Sequence, residues 1–178
     1  MNQSLGSRTR LAEAWQRSQC WLSLLVRLGL AAVAGFAAVP KLMDLTGSQN
    51  AVAAYQLFPV ALSDLIGTVL PIVELVLALL FLSGLLTRPA AFLFGLMLIA
   101  FIAGIASAWA RGLNIACGCF GVGGELTGGE QAQYGLEILR DIGFIALTAF
   151  LVIWPRSVLS LDRVFGLDPL PREKEIGG

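Results

Sequence analysis

The chain contains no histidine, and only 13% of its 178 residues are charged. Soluble domains carry about a quarter charged residues, so this chain has too few charges to cover a water-facing surface in the usual way. Its formal net charge is zero, and no stretch combines basic clusters with stacking aromatics, which argues against a nucleic-acid-binding protein. Cysteine is also scarce, with three residues in the whole chain.

Apolar residues make up 57% of the chain, and they concentrate in four runs of about 20 residues, each long enough to cross a hydrocarbon core roughly 30 Å thick. The runs cover residues 20–39, 64–86, 90–110 and 134–154. Lipid offers no partner for free backbone groups, and four strands cannot close a barrel, so the runs predict helices. We expect an all-α, polytopic membrane four-helix bundle over residues 20–154, with a polar segment 1–19 before it and a partly disordered tail 155–178 after it.

The connections between the runs predict the orientation of the bundle. Residues 40–63 read as a mixed loop, Thr87–Pro89 as a short hairpin break, and the glycine-rich residues 111–133 as a loop. The first and third connections carry one basic residue each, Lys41 and Arg111. The termini and the second connection carry eight: Arg8, Arg10, Arg17, Arg88, Arg156, Arg163, Arg172 and Lys174. The positive-inside rule therefore predicts cytoplasmic termini and an external third connection.

Two cysteines, Cys117 and Cys119, lie one glycine apart in that external connection. The outer side of a bacterial inner membrane is oxidising, so the pair can form a disulfide there. A bond between residues i and i+2 closes a tight ring, and departures from relaxed geometry make a disulfide easier to reduce. Labile disulfides are the catalytic or regulatory ones, and this bond would constrain almost no chain. The spacing favours a redox-active pair over a structural one.

Two other uses of the pair stay open. Paired thiolates bind soft metals such as copper(I) or zinc, although a closed zinc site needs four ligands and this side of the chain offers no histidine and no second cysteine pair. The thiols can also be buried without any chemistry, although the flanking glycines make a tight core less suitable. Cys20, at the cytoplasmic end of the first run, is a bilayer away and is expected to be inert.

Ionisable residues inside membrane spans are functional candidates by default. Glu74 lies about 15 Å from the outer end of the second run at the helical rise, near the midplane. Lys41 ends the first run, and Glu137, Arg140 and Asp141 fall in the first two turns of the fourth. We expect these last four residues to lie close beneath the cysteine loop, with Glu137 and Arg140 able to pair because they are three residues apart.

These charges have a functional and a structural interpretation. Lys41 or Arg140 beside a thiol would favour the reactive thiolate, and an unpaired, desolvated Glu74 would hold a proton for use in electron transfer. The alternative is a network in which Lys41 or Arg140 neutralises the carboxylates. For Arg27, near the cytoplasmic end of the first run, we expect the side chain to snorkel to the interface.

Several stretches match one family in order along the chain: Arg27–Leu30, Lys41–Asp44, Ala54–Pro59, Pro71–Leu75, Ser83–Arg88, Cys117–Gly121 and the pair Arg140–Asp141. On these residues the chain resembles the MauE family, within the wider MauE/DoxX group of small four-helix redox-associated membrane proteins. The resemblance covers about residues 22–153.

The resemblance implies a role in disulfide formation or maintenance during methylamine utilisation, alongside a periplasmic thioredoxin-like partner. The chain also looks like the quinone-linked thiol oxidases, but those carry a C-x-x-C pair and a second external pair. From the position of the C-x-C pair and the charge cluster, we predict an inner-membrane protein in which Cys117 exchanges with the partner and Cys119 resolves the mixed disulfide. Lys41, Glu74, Arg140 and Asp141 complete the predicted site, and a membrane quinone is the candidate electron acceptor.

Two rival functions come from other classes. The DoxX side of the group allows a non-catalytic membrane subunit or assembly factor, for which loss of the cysteines would be silent. A carrier of small molecules or metal ions would instead depend on Glu74 at the midplane.

Overall fold

The computed structural model describes residues 3–116, 124–125 and 133–154. Five helices run in order as α1 (Gln3–Met43), α2 (Leu45–Ala54), α3 (Val60–Ser83), α4 (Thr87–Ala110) and α5 (Tyr134–Ile153). Two short strands, β1 (Ile115–Ala116) and β2 (Gly124–Glu125), form one antiparallel pair between α4 and α5. The described residues are otherwise helices, turns and irregular chain, which confirms the predicted helical class. The tail 155–178, predicted to be partly disordered, lies outside the described residues.

Three helical segments are long and apolar enough to cross a membrane: Ser18–Met43, Val60–Ser83 and Thr87–Ala110. Large apolar side chains line their outward faces and are exposed, such as Phe36 at 74% and Phe92 at 66%. An exposed apolar surface of this extent is what a lipid bilayer covers. α5 has 20 residues but carries Glu137, Arg140 and Asp141, and it is not among these three segments.

The four long helices contact one another in a ring, because α1 and α4 each contact both α3 and α5. α1 runs antiparallel to α3: a Cβ placed on Gly35 would lie 4.0 Å from the Cβ of Ala78, and Lys41 meets Glu74 further along. α4 and α5 are antiparallel as well. Their apolar inner faces form one buried cluster, made of Leu30, Ala31, Ala34, Leu77, Ala78, Phe81, Ala90, Ala91, Phe94, Leu98 and Leu151.

The mixed loop predicted over residues 40–63 is wrong, since it contains α2. α1 continues through Pro40 to Met43, and the carboxylate of Asp44 then accepts a hydrogen bond of 2.9 Å from the amide of Gly47, which caps α2. A short polar side chain at an N-cap stabilises a helix start in this way. Small polar residues thus begin a second helix where their composition had indicated a loop.

α2 lies directly against α3 because Gly67 lets the two backbones approach. The hydroxyl of Ser48 donates a hydrogen bond of 2.7 Å to the carbonyl of Gly67. A Cβ at Gly67 would fall 2.5 Å from the Cα of Gln49, so no other residue fits without separating the helices. This contact holds α2 along the first third of α3.

The connection between α3 and α4 is short, as predicted, but it lies at Gly84–Leu86 rather than at Thr87–Pro89. Gly84 adopts φ 68° after the last turn of α3, a left-handed conformation that commonly ends a helix. Pro89 falls in the first turn of α4, where its missing amide proton breaks no hydrogen bond.

The expectation that the Arg27 side chain snorkels to the membrane interface is wrong. This residue is 2% exposed, and a Cβ added at Gly84 would lie 2.7 Å from its guanidinium carbon. The guanidinium therefore packs under the turn between α3 and α4. At the same end of the molecule the hydroxyl of Ser23 donates to the carbonyl of Trp154 at 2.9 Å, which ties α1 to the end of α5.

Candidate functional site

The two predicted redox residues, Cys117 and Cys119, lie outside the described residues. What the structure describes is the chain on either side of them. Ala116 of β1 pairs with Gly124 of β2, and Ile115 pairs with Glu125. The two ends of the segment 117–123 are therefore held side by side in a strand pair, and α2 contacts β2.

Tyr134 fixes β1 against the start of α5. Its hydroxyl accepts a hydrogen bond of 3.0 Å from the buried amide of Ile115 and donates one to the carbonyl of Leu113. Its ring lies against Trp109, with 6.2 Å between the ring centroids. A buried tyrosine hydroxyl needs such partners, and here they are the backbone two to four residues before Cys117.

Arg111 joins the ends of α4 and α2. Its guanidinium donates to the carbonyls of Tyr55 and Gln56, the latter at 3.4 Å, and its Nε donates to Ser107 at 3.2 Å. The ends of α2 and α4, β1 and the start of α5 thus form one surface, which we call the mouth. From the sequence, Arg111 was counted only as a loop charge, and Tyr134 was not identified. The position of a tyrosine at the start of an apolar run could have indicated Tyr134.

Lys41 and Glu74 form a buried ion pair between α1 and α3. Lys41 Nζ lies 2.7 Å from Oε1 and 2.9 Å from Oε2 of Glu74, and it lies 5.7 Å from the centroid of the Phe101 ring. A cation over an aromatic face gains further electrostatic attraction. Lys41 therefore neutralises Glu74, as the alternative of a structural charge network predicted. The proposed proton-holding role required an unpaired Glu74, and this carboxylate is paired. A catalytic role for either residue stays a prediction.

The pair is deeper than the sequence indicated. Glu74 is fourteen residues after Val60, where α3 begins, or about 21 Å along the helix at 1.5 Å per residue. Lys41 sits at the same depth, since it reaches both carboxylate oxygens of Glu74. It was predicted to end the first span at the outer side, but it is 4% exposed, and α2 extends beyond it along α3.

Asp141 lies at the same depth in the bundle as Lys41 and Glu74. Two contacts set the register of α4 against α5: Gly95 lies beside Thr148, and Trp109 lies beside Tyr134. Asp141 is midway between Tyr134 and Thr148, so it lies level with the segment of α4 that holds Phe101. Lys41, Glu74 and Asp141, with the adjacent Arg140, are together called the polar layer.

Arg140 and Asp141 form the second ion pair of this layer. Both Nε and Nη2 of Arg140 donate to Oδ1 of Asp141, at 3.1 and 3.0 Å. Oδ2 of Asp141 and Oε2 of Glu137 are buried and have no hydrogen-bond partner among the described residues. Arg140 thus pairs with the neighbouring residue, and the predicted pairing of Glu137 with Arg140 stays a prediction.

The polar layer lies below the mouth, and its closeness to Cys117 and Cys119, which lie outside the described residues, stays a prediction. Asp141 is seven residues after Tyr134, or about 10 Å along α5. The structure therefore brings four of the predicted site residues to one depth, and places them two helical turns from the anchor of β1. Among the described residues, no group of three or more histidine, cysteine or acidic side chains is placed to hold a metal ion.

One comparison with known proteins found a match. A family model described as methylamine utilisation protein MauE matches residues 19–155, which include all but the first residue of the three apolar segments, both strands and α5. A search of curated proteins and a search of solved structures found no match.

Proposed function

The chain belongs to the MauE family of membrane proteins, and from this premise we propose that it is an integral membrane thiol–disulfide redox protein acting through Cys117 and Cys119. The family's description links it to methylamine utilisation. The observation that carries the proposal is the anchored strand pair, because β1 and β2 hold both ends of the C-x-C segment at the mouth of the helices.

The proposed bundle has four spans, with α5 as the fourth. Twenty residues give α5 a length of about 30 Å, which matches the hydrocarbon thickness. α5 begins beside Trp109 at the mouth and ends at Ile153. The carbonyl of the next residue, Trp154, accepts from Ser23 near the start of the apolar segment Ser18–Met43. The helix therefore runs the same distance as the apolar helices beside it. Of its charged side chains, Asp141 is buried in the polar layer, and Glu137 and Arg140 are half-buried.

The proposed orientation has both termini in the cytoplasm of a bacterium and the mouth on the periplasmic side of the inner membrane. Lys41 supports this, because Glu74 neutralises it inside the helices and it no longer counts as a loop charge. That leaves Arg111 as the basic residue of the mouth against eight on the other side. The exposed rings of Trp21 and Trp154 mark one end and that of Trp109 the other, as expected at two membrane interfaces.

The proposed chemistry is disulfide exchange with a periplasmic thioredoxin-like protein. The Cys117 thiolate attacks a disulfide of the partner and forms a mixed disulfide, which releases one partner thiolate. Cys119 then attacks the sulfur of Cys117, forms the Cys117–Cys119 disulfide and releases the second partner thiolate. The partner gains two electrons in this direction and loses two in the reverse one. A membrane quinone is the proposed acceptor of those electrons in the reverse direction.

The polar layer is proposed to support the mouth. The Lys41–Glu74 pair fixes α1 against α3, and the Arg140–Asp141 pair lies within α5, which carries Tyr134 at its start. Arg140 and Lys41 are proposed to tune the thiols from about two helical turns below Tyr134, the anchor of β1. The carrier alternative depends on Glu74 at the midplane, and the ion pair with Lys41 gives that carboxylate a structural partner instead.

Trapping of the mixed disulfide tests the proposal. In a Cys20→Ser background, the Cys119→Ser variant should accumulate a covalent complex with the partner, because no second thiol of this chain can resolve the mixed disulfide at Cys117. The complex should be seen on a non-reducing gel and should disappear when reductant is added. The matched control, Cys117→Ser in the same background, should trap far less. If neither variant traps a partner and both support periplasmic disulfide handling fully, the proposal is wrong and the non-catalytic assembly subunit takes its place.

A further inference from the structure

The hydroxyl of Tyr134 bridges two backbone groups that lie on either side of Asn114. It donates a hydrogen bond to the carbonyl of Leu113 and accepts one of 3.0 Å from the buried amide of Ile115. One side-chain atom therefore fixes both the direction in which the chain leaves α4 and the start of β1. Cys117 follows Ile115 by two positions.

The chain before this bridge is held by the end of α4, which is a Schellman motif. The amide of Leu113 donates to the carbonyl of Ala108 at 3.0 Å. The amide of Gly112 donates to the carbonyl of Trp109, also at 3.0 Å. The end of α4 therefore fixes the chain up to Leu113, and the amide two residues later depends on the bridging hydroxyl.

The Tyr134 side chain is itself held in one position. It is 8% exposed, and it belongs to a buried apolar cluster with Ile105, Ala108 and Ile115. A side chain that packing locks in this way positions its hydrogen-bond partner closely. β1 is thus held on one side by Tyr134 and on the other by its pairing with β2.

We propose that Tyr134 is a positioning residue for the thiol chemistry, whose hydroxyl favours the dithiol over the disulfide form of Cys117 and Cys119. This role rests on the redox function proposed above. A disulfide between residues i and i+2 closes a tight ring, so the backbone must adjust when it forms. An anchor at Ile115 opposes that adjustment, and a disulfide under strain is easier to reduce.

The redox equilibrium of the full chain with dithiothreitol tests this role, in detergent and in a Cys20→Ser background. Reduction breaks the Cys117–Cys119 bond and oxidises dithiothreitol to its cyclic disulfide, so two electrons and two protons pass to the chain. Alkylation of the free thiols with a mass tag reports the reduced fraction on a gel. Tyr134→Phe keeps the ring and removes the hydroxyl, so its disulfide should be harder to reduce. The equilibrium constant should change by about three- to tenfold, the strength of one hydrogen bond.

Gly84→Ala is the stability-matched control, because it strains the turn before α4, at the opposite end of that helix from the bridge. It should keep the wild-type redox equilibrium. An equal shift in both variants would overturn the positioning role, since lost stability alone would then explain it. An unchanged equilibrium in Tyr134→Phe would also overturn it and would leave the redox function standing. A wild-type pair that dithiothreitol does not reduce reversibly would overturn the redox function and the positioning role together.

Hydrogen exchange in the wild-type chain decides the question even if Tyr134→Phe does not fold. Coupling between two equilibria is reciprocal, so the disulfide must weaken the Tyr134 contact by the factor that the contact weakens the disulfide. The amide of Ile115 should therefore exchange about three to ten times faster in the oxidised chain than in the reduced chain. The amide of Gly112, bonded within the end of α4, is the internal control and should exchange equally in both states. Equal exchange of the Ile115 amide in the two states would overturn the positioning role.

Discussion

The ion pair of Lys41 with Glu74 gives the most quantitative prediction. Its two nitrogen–oxygen distances are 2.7 and 2.9 Å, and the side chains are 5% and 1% exposed. At 2.7 Å and an effective dielectric constant of about 20, the Coulomb attraction is about 6 kcal/mol. Removal of each ion from water costs several kcal/mol, so the pair as a whole contributes little net stability.

Breaking the pair from one side should be far more harmful than removing it entirely. Lys41→Met leaves Glu74 as a buried charge without its partner, and Glu74→Leu does the same to Lys41. Each single variant should lower the free energy of unfolding by about 3–5 kcal/mol. The double variant should return to within about 1 kcal/mol of wild type, because two apolar side chains of similar volume replace the ions.

A double-mutant cycle measured by chemical unfolding in mixed micelles provides the assay. The control Asp64→Asn, on the same helix but partly exposed, should change stability by no more than about 0.5 kcal/mol. Additive effects of the two single changes, or single losses below about 1 kcal/mol, would refute the reasoning that the pair is buried and mutually required.

Three further changes test the packing around the site. Tyr134→Phe should lower stability by about 1–3 kcal/mol, because the buried amide that its hydroxyl satisfies loses its acceptor, and hydrogen exchange of that amide should accelerate. Gly67→Ala should destabilise by about 1–3 kcal/mol in the same unfolding assay, because the added Cβ meets the backbone of α2. Gly84→Ala should cost about 1–2 kcal/mol for its left-handed backbone and displace the Arg27 guanidinium. Gly29→Ala, with nothing within 4 Å of the new Cβ, is the matched control and should not destabilise; equal losses there would undermine both glycine arguments.

The long helices could be predicted from the sequence because their signal is local. Runs of about 20 apolar residues have one stable structure in lipid, and the predicted runs 64–86 and 90–110 overlap α3 and α4 closely. The ends moved by a few residues, since Gly84 stops α3 early and Pro89 is tolerated in the first turn of α4.

α2 could not be predicted in the same way, because its stability comes from a tertiary contact. Its sequence, LTGSQNAVAA, lacks a long apolar run, and the helix is held by Ser48 on the backbone of Gly67. A glycine inside an apolar run gives no indication of which backbone approaches it. Most helical stability in proteins comes from such packing rather than from propensity.

The polar residues of the candidate site were identifiable one at a time, but not their partners. Charge inside an apolar run singled out Lys41, Glu74, Arg140 and Asp141. Pairing depends on the register of α1 against α3, which no local pattern encodes. The depth of Lys41 was predicted wrongly for a related reason, because no local pattern indicated that α2 continues beyond it along α3. Tyr134 was overlooked because its role depends on the hydrogen bond between its hydroxyl and the amide of Ile115 in β1. The two residues are nineteen positions apart in the sequence.

The thiol state of Cys117 and Cys119 in intact cells is the measurement that tests the central claim most directly. A membrane-impermeant alkylating reagent would be applied before and after mild reductant. Cys20, near the start of the apolar segment Ser18–Met43, is the internal control that stays unlabelled. An external, labile disulfide predicts no labelling at first and labelling of both thiols under weak reduction. Thiols that label freely without reductant, or that never label even when reduced, would contradict an external redox-active pair.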